Sequence, residues 1–341
     1  MRIIENNNTF NKRCNSCNSL LAIETNDISY QDVVGRFDCI CTVCGMVIKI
    51  ESNEIPKSWI SVLARKIYMQ TDSFFCIGKS HSVCEDYAFH GKKCIILSDG
   101  CSASEYSDIG ARLLCITAKR ILNSFVNIPL SYSEFGTTVA GCVAEQLRLL
   151  DLPINSMDAT LLVAFEFNEK IYFYAYGDGY YQIKYKNQDI HFGTTKFNSN
   201  APYYLSYWSN PQRNIDYINK FGNEVETITG SYTDGEENCE LKTETVDLSF
   251  SHETDVKFPI PIDELEYIMI MSDGVESFQD YSNLPASPIE TAEIIKELSS
   301  FKNTKGKFIT RRTNAAIKKF MKQDIDHYDD LSVAGMYMDR I

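Results

Sequence analysis

Ile95-Ile96-Leu97-Ser98-Asp99-Gly100 carries an apolar, strand-like run straight into an aspartate and a glycine. The chain does this twice more, at Tyr174-Ala175-Tyr176-Gly177-Asp178-Gly179 and Met269-Ile270-Met271-Ser272-Asp273-Gly274. A buried strand fixes the direction of the side chain that follows it, and the glycine lets the backbone turn sharply and approach a ligand closely. One Asp-Gly after a strand is an ordinary turn. Three of them, joined by Glu85-Asp86 upstream and Asp329-Asp330 near the C-terminus, deliver acidic residues from five places. That donor set suits hard divalent cations, manganese or magnesium, whereas zinc prefers nitrogen and sulfur.

Around these motifs, the pattern predicts strands over Phe74–Gly78, Lys93–Ser98, Thr160–Phe167, Lys170–Tyr176, Tyr180–Tyr185, Glu266–Ser272 and Leu331–Met336, with Asn168-Glu169 as a hairpin turn. Amphipathic spacing predicts helices over Ser107–Phe125, Tyr132–Leu150, Pro288–Ser299 and Lys307–Gln323. Strands that follow strands, with helices inserted in pairs, indicate an α+β protein with antiparallel sheets rather than βαβ winding. Between Tyr203 and Lys257 the periodicity weakens and acidic residues accumulate (Asp234, Glu236, Glu237, Glu240, Glu244, Asp247), which reads as a solvated acidic lobe or as a flap beside the site.

The first fifty residues have a different character. Cys14-x-x-Cys17 and Cys41-x-x-Cys44 are separated by 23 residues, the spacing of a tetrahedral zinc site, and Cys39 is a spare thiol beside the second pair. A segment this small has too little core to fold unaided, so bound metal would hold it together. The expected organisation is a zinc-ribbon-like segment at 1–52, a linker helix at 53–72 carrying Trp59, Val62, Leu63 and Ile67, and a main domain at 73–341.

The chain has 341 residues, 44% of them hydrophobic, and a formal net charge of -13, which disfavours extended contacts with nucleic acid phosphates. Nothing in Met1 to Leu20 reads as a secretory leader, so the 12 cysteines are expected to be reduced and the protein cytoplasmic. The apolar runs are far shorter than the roughly 20 residues of a membrane helix. A protein partner through the ribbon is a further expectation.

Taken in order, Gly78-Lys79-Ser80-His81-Ser82-Val83-Cys84-Glu85-Asp86-Tyr87-Ala88, Leu97-Ser98-Asp99-Gly100, Asp158-Ala159-Thr160-Leu161, Tyr176-Gly177-Asp178-Gly179, Ser272-Asp273-Gly274 and Asp329-Asp330-Leu331-Ser332-Val333 resemble the metal-dependent Ser/Thr protein phosphatases of the 2C family. The resemblance covers roughly Phe74 to Met338. It implies a four-layer α-β-β-α sandwich, two antiparallel sheets flanked by helices, and hydrolysis of phosphoserine and phosphothreonine in proteins by a hydroxide activated by two metals. It also implies roles. Asp99 would bridge two manganese or magnesium ions and the Gly100 carbonyl would bind one of them, with Asp86 and Glu85 serving that ion. Asp273 and Asp329 would hold the other ion, and Asp178 would serve a weaker third. Asp330 stands where many relatives have Asn. Two positions depart from the family pattern. His81 occupies the place of a phosphate-binding Arg, leaving His81, Lys79 or Arg112 to meet the phosphate. Cys101-Ser102 follows Asp99-Gly100, where relatives often have His or Met. These departures support a second reading, a catalytically silent phosphatase fold that binds a partner or phosphopeptide.

Overall fold

The computed structural model describes residues 9–24, 27–31, 36–51, 54–55, 68–124, 129–234, 240–250, 258–282 and 285–339. It forms two compact units, one ending at Tyr68 and the other spanning Met69–Asp339.

The N-terminal unit consists of a two-stranded sheet, β1 (Thr9–Arg13) and β2 (Leu20–Glu24), and a three-stranded sheet, β3 (Ile28–Gln31), β4 (Arg36–Ile40) and β5 (Val47–Ile50). Each C-x-x-C pair sits in the turn of a hairpin. The two turns repeat one backbone pattern: Asn18 N–H bonds the Cys14 carbonyl at 2.9 Å, and Gly45 N–H bonds the Cys41 carbonyl at 2.8 Å. Asn18 and Gly45 both take positive φ, 58° and 73°, which Gly adopts freely and Asn more readily than most residues. Ile23, Ile28, Ile48, Ile50 and Ile55 form a small core with Cys14, Cys39 and Cys41.

The main unit begins with β6 (Tyr68–Cys76), β7 (Tyr87–Gly91) and β8 (Cys94–Ser98), followed by the helix pair α1 (Ser107–Leu122) and α2 (Tyr132–Leu149). Next come β9 (Leu161–Phe167), β10 (Lys170–Tyr176), β11 (Tyr180–Tyr185) and β12 (Asp189–Lys196), the helices α3 (Leu205–Trp208) and α4 (Pro211–Phe221), and β13 (Glu224–Thr233) and β14 (Glu240–Asp247). The chain then runs through β15 (Ile260–Pro261), β16 (Leu265–Met271), β17 (Phe278–Asp280), β18 (Ser287–Pro288), α5 (Thr291–Ser299), α6 (Phe308–Met321), β19 (Ile325–His327) and β20 (Leu331–Asp339).

Two large sheets result, ordered β15-β10-β9-β8-β7 and β14-β13-β12-β11-β16-β20-β6, with a small β18-β17-β19 sheet beside them. Alternation along the buried strands explains the layering. Cys94 and Ile96 of β8 pack with Val163 and Phe165 of β9 against Leu114, Ala118, Val139 and Val143 of α1 and α2. Ile95 and Leu97, equally buried, must therefore point to the opposite face. Met269 and Met271 of β16 pack against Ile294, Leu298, Ile309 and Phe320 of α5 and α6, which turns Ile268 and Ile270 the other way. The inward faces meet where the Phe173 and Tyr181 rings approach to 5.3 Å between β10 and β11. This is the expected α-β-β-α sandwich of antiparallel sheets. Each of these fully buried aliphatic side chains contributes roughly 1.5–3 kcal/mol.

Local signals agree with the packing. Ser131 and Glu134 form a capping box at the start of α2. Asn168 and Glu169 take positive φ, 50° and 59°, in the two-residue hairpin between β9 and β10. The expected linker helix at 53–72 lies mostly outside the described residues, and its last part, 68–72, belongs to strand β6. The stretch 203–257, read as an acidic lobe or as a flap beside the site, holds α3, α4, β13 and β14 among the described residues; the two strands extend the edge of the seven-stranded sheet and leave Asp234, Glu244 and Asp247 exposed.

Candidate metal centre

Topology brings the sequence motifs to one end of the sandwich. Strands β8 and β10 are both antiparallel to β9, so both run the same way and end together, at Asp99 and Asp178. In the other sheet Met271 pairs with Val333 and with Tyr180, so the end of β16 lies beside the starts of β20 and β11. Asp273, Asp329-Asp330 and Asp178 follow from that register. Gly177-Asp178-Gly179 is the point where the chain crosses from one sheet to the other, with φ of 92° and 123° at the glycines.

Around Asp99 two motifs lie side by side. Asp99 N–H donates to Thr160 Oγ1 at 3.0 Å, Thr160 N–H to the Asp99 carbonyl at 2.8 Å, and Cys101 N–H to the Asp158 carbonyl at 2.8 Å. Gly100, bridged to Ala159, has no room for a side chain: a Cβ would lie 2.9 Å from the Glu85 carbonyl oxygen and 3.0 Å from that of Ser107. Ser272 and Ser332 join the second pair of motifs, Ser272 N–H bonding the Ser332 carbonyl and Ser332 N–H the Ser272 hydroxyl, each at 3.0 Å.

Asp330, 2% exposed, organises the loop that carries Glu85 and Asp86. Its Oδ1 accepts the Gly78 N–H at 2.7 Å and its Oδ2 the Glu85 N–H at 2.6 Å. His81 lies between carboxylates, with Nε2 3.3 Å from Asp329 Oδ1, and Nδ1 3.2 Å from Asp330 Oδ2 and 3.9 Å from Glu85 Oε2. Burial opposes charge on this imidazole, but Asp330, Asp329 and Glu85 outweigh it and raise its pKa. His327 Nδ1 lies 2.8 Å from the Asp329 backbone oxygen, so it holds that loop by the main chain rather than by the carboxylate. Of the other cations considered, Lys79 sits 3.3 Å from Asp326 and over the Tyr281 ring, and Arg112 lies 6.0 Å over the Tyr87 ring.

The electrostatics identify the set that shares one field. Burial first, and then the charges of Asp86, Asp273 and Asp178, push Asp99 well above the usual carboxylate range. Burial pushes Asp86 up to about 7. Asp178 and Asp329 are likewise raised, by burial and then by Asp273, and Glu85 by burial. Asp86 is fully buried, and neither of its carboxylate oxygens makes a hydrogen bond of ordinary geometry, although Ser332, Ser272 and Asp99 interact with it and partly offset the burial. A buried carboxylate left this way costs several kcal/mol unless a cation or a proton compensates it. The residues present therefore fit divalent metal.

A family model described as protein phosphatase 2C matches residues 77–203. Over those residues the chain is similar to protein phosphatase 2C. No curated protein matches the chain. Among solved structures, the serine/threonine phosphatase PstP/Ppp of Mycobacterium tuberculosis is 10% identical, with 80% of this chain and 99% of that chain covered and a TM-score of 0.41. A catalytic domain of PstP in complex with 2 manganese ions gives 11% identity, 80% and 99% coverage and a TM-score of 0.41. The serine/threonine phosphatase Stp1 from Staphylococcus aureus gives 11%, 80% and 95%, and 0.42.

Two arrangements in the main unit escaped the sequence reading. Arg213 of α4 grips Asp158, and Lys196 of β12 pairs with Glu276, which also accepts the Tyr180 hydroxyl. Neither pair has a local signal, because each joins residues far apart in sequence. A cleft of about 650 Å³ between His90, Lys92, Lys119 and Phe167 lies at the opposite end of β8 from Asp99 and contains none of the clustered aspartates. Among the described residues no helix is long and apolar enough to cross a membrane.

In the N-terminal unit the four thiols of Cys14, Cys17, Cys41 and Cys44 converge within 4.8 Å of one another. Cys14 and Cys44 sulfurs are 3.6 Å apart and those of Cys17 and Cys41 3.7 Å apart. A tetrahedral site with metal–sulfur bonds of about 2.3 Å has edges of about 3.8 Å, so the group has the dimensions of a four-thiolate zinc site. Cys39 is outside this group, buried, with its thiol pKa raised first by burial.

Proposed function

We propose that the protein hydrolyses phosphoserine and phosphothreonine in protein substrates with the help of manganese or magnesium. The observation that carries this reading is the buried, under-satisfied carboxylate of Asp86 beside Asp99, whose own pKa is raised by burial and then by the charges of Asp86, Asp273 and Asp178. The phosphatase 2C match over residues 77–203 supports the same class of reaction. Asp99, between Asp86 and Asp273 in the electrostatic ordering, suits a bridging ligand. Asp86, Glu85 and the Gly100 carbonyl suit one ion, Asp273 and Asp329 the other, and Asp178 an outlying third. When bound, divalent cations would supply an acidified water and a clamp on phosphate oxygens. His81 positions Asp329 and Asp330 in this reading; a phosphate meeting its ring would have to compete with those carboxylates. We further propose one structural zinc on Cys14, Cys17, Cys41 and Cys44.

That occupation of His81 also favours a second reading, a silent fold that binds a phosphopeptide without turning it over, since the imidazole is no free substitute for an arginine. One experiment separates the two. Purified protein with added manganese should release phosphate from an aryl phosphate and from phosphopeptides, and Asp273→Asn should abolish both activities and the calorimetric heat of manganese binding. Manganese binding without turnover selects the silent reading, and equal rates in wild type and Asp273→Asn overturn the metal assignment.

A further inference from the structure

A cavity of about 580 Å³, within the range of side-chain and small-ligand sites, opens beside the metal centre. Tyr132, Tyr203, Trp208, Ile218 and Gly177 are among the residues that line it. Two sequence neighbours tie it to the aspartates. The residue after Gly177 is Asp178, with its Cα about 3.8 Å away. The residue after Tyr203 is Tyr204, buried and within the field of Asp178 and Asp99. A chain whose phosphorylated residue meets the aspartates can therefore place a nearby side chain in the cavity.

The lining selects what that side chain is. Trp208 stands edge-on to Tyr132, 5.9 Å between centroids, and Tyr132 stacks on Tyr176 at 4.4 Å. Room for this packing comes from Gly136, where a Cβ would lie 2.6 Å from the Tyr176 ring and 2.9 Å from the Trp208 ring. Tyr132, Tyr176 and Trp208 thus pack against one another on this side of the cavity. Asp247 contributes the cavity's charge from an exposed position, where Asn223 Nδ2 at 2.8 Å and the Ser249 N–H at 2.9 Å hold its carboxylate, while Tyr132, Trp208 and Ile218 make the rest of the lining largely apolar. Ile218 remains 40% exposed, an apolar surface that an incoming ring would cover. Asn214, which accepts the Tyr203 hydroxyl at 2.8 Å, adds a polar edge of the kind a tyrosine or tryptophan tip can use.

We propose that this cavity is a subsite for an uncharged aromatic side chain of the phosphoprotein substrate, close in sequence to the phosphorylated residue. The inference rests on the phosphatase reading but is tested separately, through binding. The chain has two tryptophans, so Trp59→Phe leaves Trp208 as the reporter of the cavity wall. In that background, with magnesium present, peptides carrying a non-hydrolysable phosphonate analogue of phosphoserine and Phe, Ala, Glu or Lys at one to three positions from it are titrated against Trp208 fluorescence. The Phe peptide should bind about tenfold tighter than the Ala peptide at one of these positions, in line with the gain from aromatic packing. Ile218→Arg should erase that ratio. Ile215→Arg, 52% exposed on the same helix but outside the cavity, should keep it and so controls for damage to α4. Equal affinities for all four peptides, a preference for Glu or Lys, or collapse of the ratio in Ile215→Arg would each overturn the subsite. The aromatic preference without wild-type phosphate release would leave the subsite standing and sink the phosphatase reading instead.

Discussion

Arg213 and Asp158, 55 residues apart, meet in a forked ion pair, one guanidinium nitrogen lying 2.9 and 2.8 Å from the two carboxylate oxygens. Asp158 is 5% exposed and also accepts from the hydroxyls of Ser104 and Ser206, so one carboxylate ties α3 and α4 to the loop that follows Asp99. Arg213→Ala leaves that buried charge without its cation and should cost about 2–4 kcal/mol in urea unfolding. Arg213→Lys should recover much of this, because a single nitrogen, Nη2, makes both contacts and an ammonium can do the same.

Asp330→Ala removes both acceptors that hold the Gly78 and Glu85 N–H groups. The loss should be about 2–3 kcal/mol of stability. Calorimetry should also record weaker manganese binding, since the loop carrying Glu85 and Asp86 loses its anchor. Unchanged manganese affinity in a folded Asp330→Ala protein would show that the loop needs no such support.

Gly274 has no space for a methyl group: a Cβ would lie 1.8 Å from the Asp330 carbonyl oxygen. Gly274→Ala must push the Asp273 turn away from the Asp330 strand start. It should cost more than about 3 kcal/mol, measured by thermal unfolding, and should lower manganese affinity with it.

The sign of the pH dependence follows from Asp86, raised to about 7, and from the raised Asp99, Asp178, Asp329 and Glu85. Between about pH 4 and pH 7 the folded, metal-free protein holds protons that the unfolded chain has released, so these groups make stability fall as pH rises. Scanning calorimetry of metal-free protein should show this fall, and Asp86→Asn should flatten it. Manganese competes with those protons, so its protection should be larger at pH 7 than at pH 5.

Removing the metal from the cysteine group should affect the N-terminal unit first. Elemental analysis should find one zinc per chain, lost in Cys41→Ser. Strong chelation should unfold this small unit, whose core holds few residues besides the cysteines. Zinc content unchanged in Cys41→Ser would refute the four-thiolate assignment.

Much was legible in the linear chain because it was periodic or punctuated. Lys170–Tyr176 alternates between buried and less buried positions and runs into Gly177, Tyr180–Tyr185 begins directly after Gly179, and both strands fall where the pattern predicts. Asn168-Glu169 could be read as a turn for the same reason. Asp189–Lys196, Glu224–Thr233 and Glu240–Asp247 were not legible, because strands toward a sheet edge expose much of their length and their polar residues mask the alternation. Strand β6 was obscured at its start by an apparent helical spacing that continues from Trp59 to Ile67.

That strands would end in aspartates backed by glycines, and that four cysteines would pair as two knuckles, depends on neighbours along the chain and was settled there. Which groups meet was settled by the folded arrangement. The antiparallel register of two sheets brings Asp86, Asp99, Asp178, Asp273 and Asp329 into one field, and it sets Asp330 beneath the Glu85 loop. It likewise lodges His81 between carboxylates, joins Arg213 to Asp158 and opens an aromatic cavity beside Gly177. These are contacts between distant segments, whose energies depend on burial and distance that no local pattern encodes.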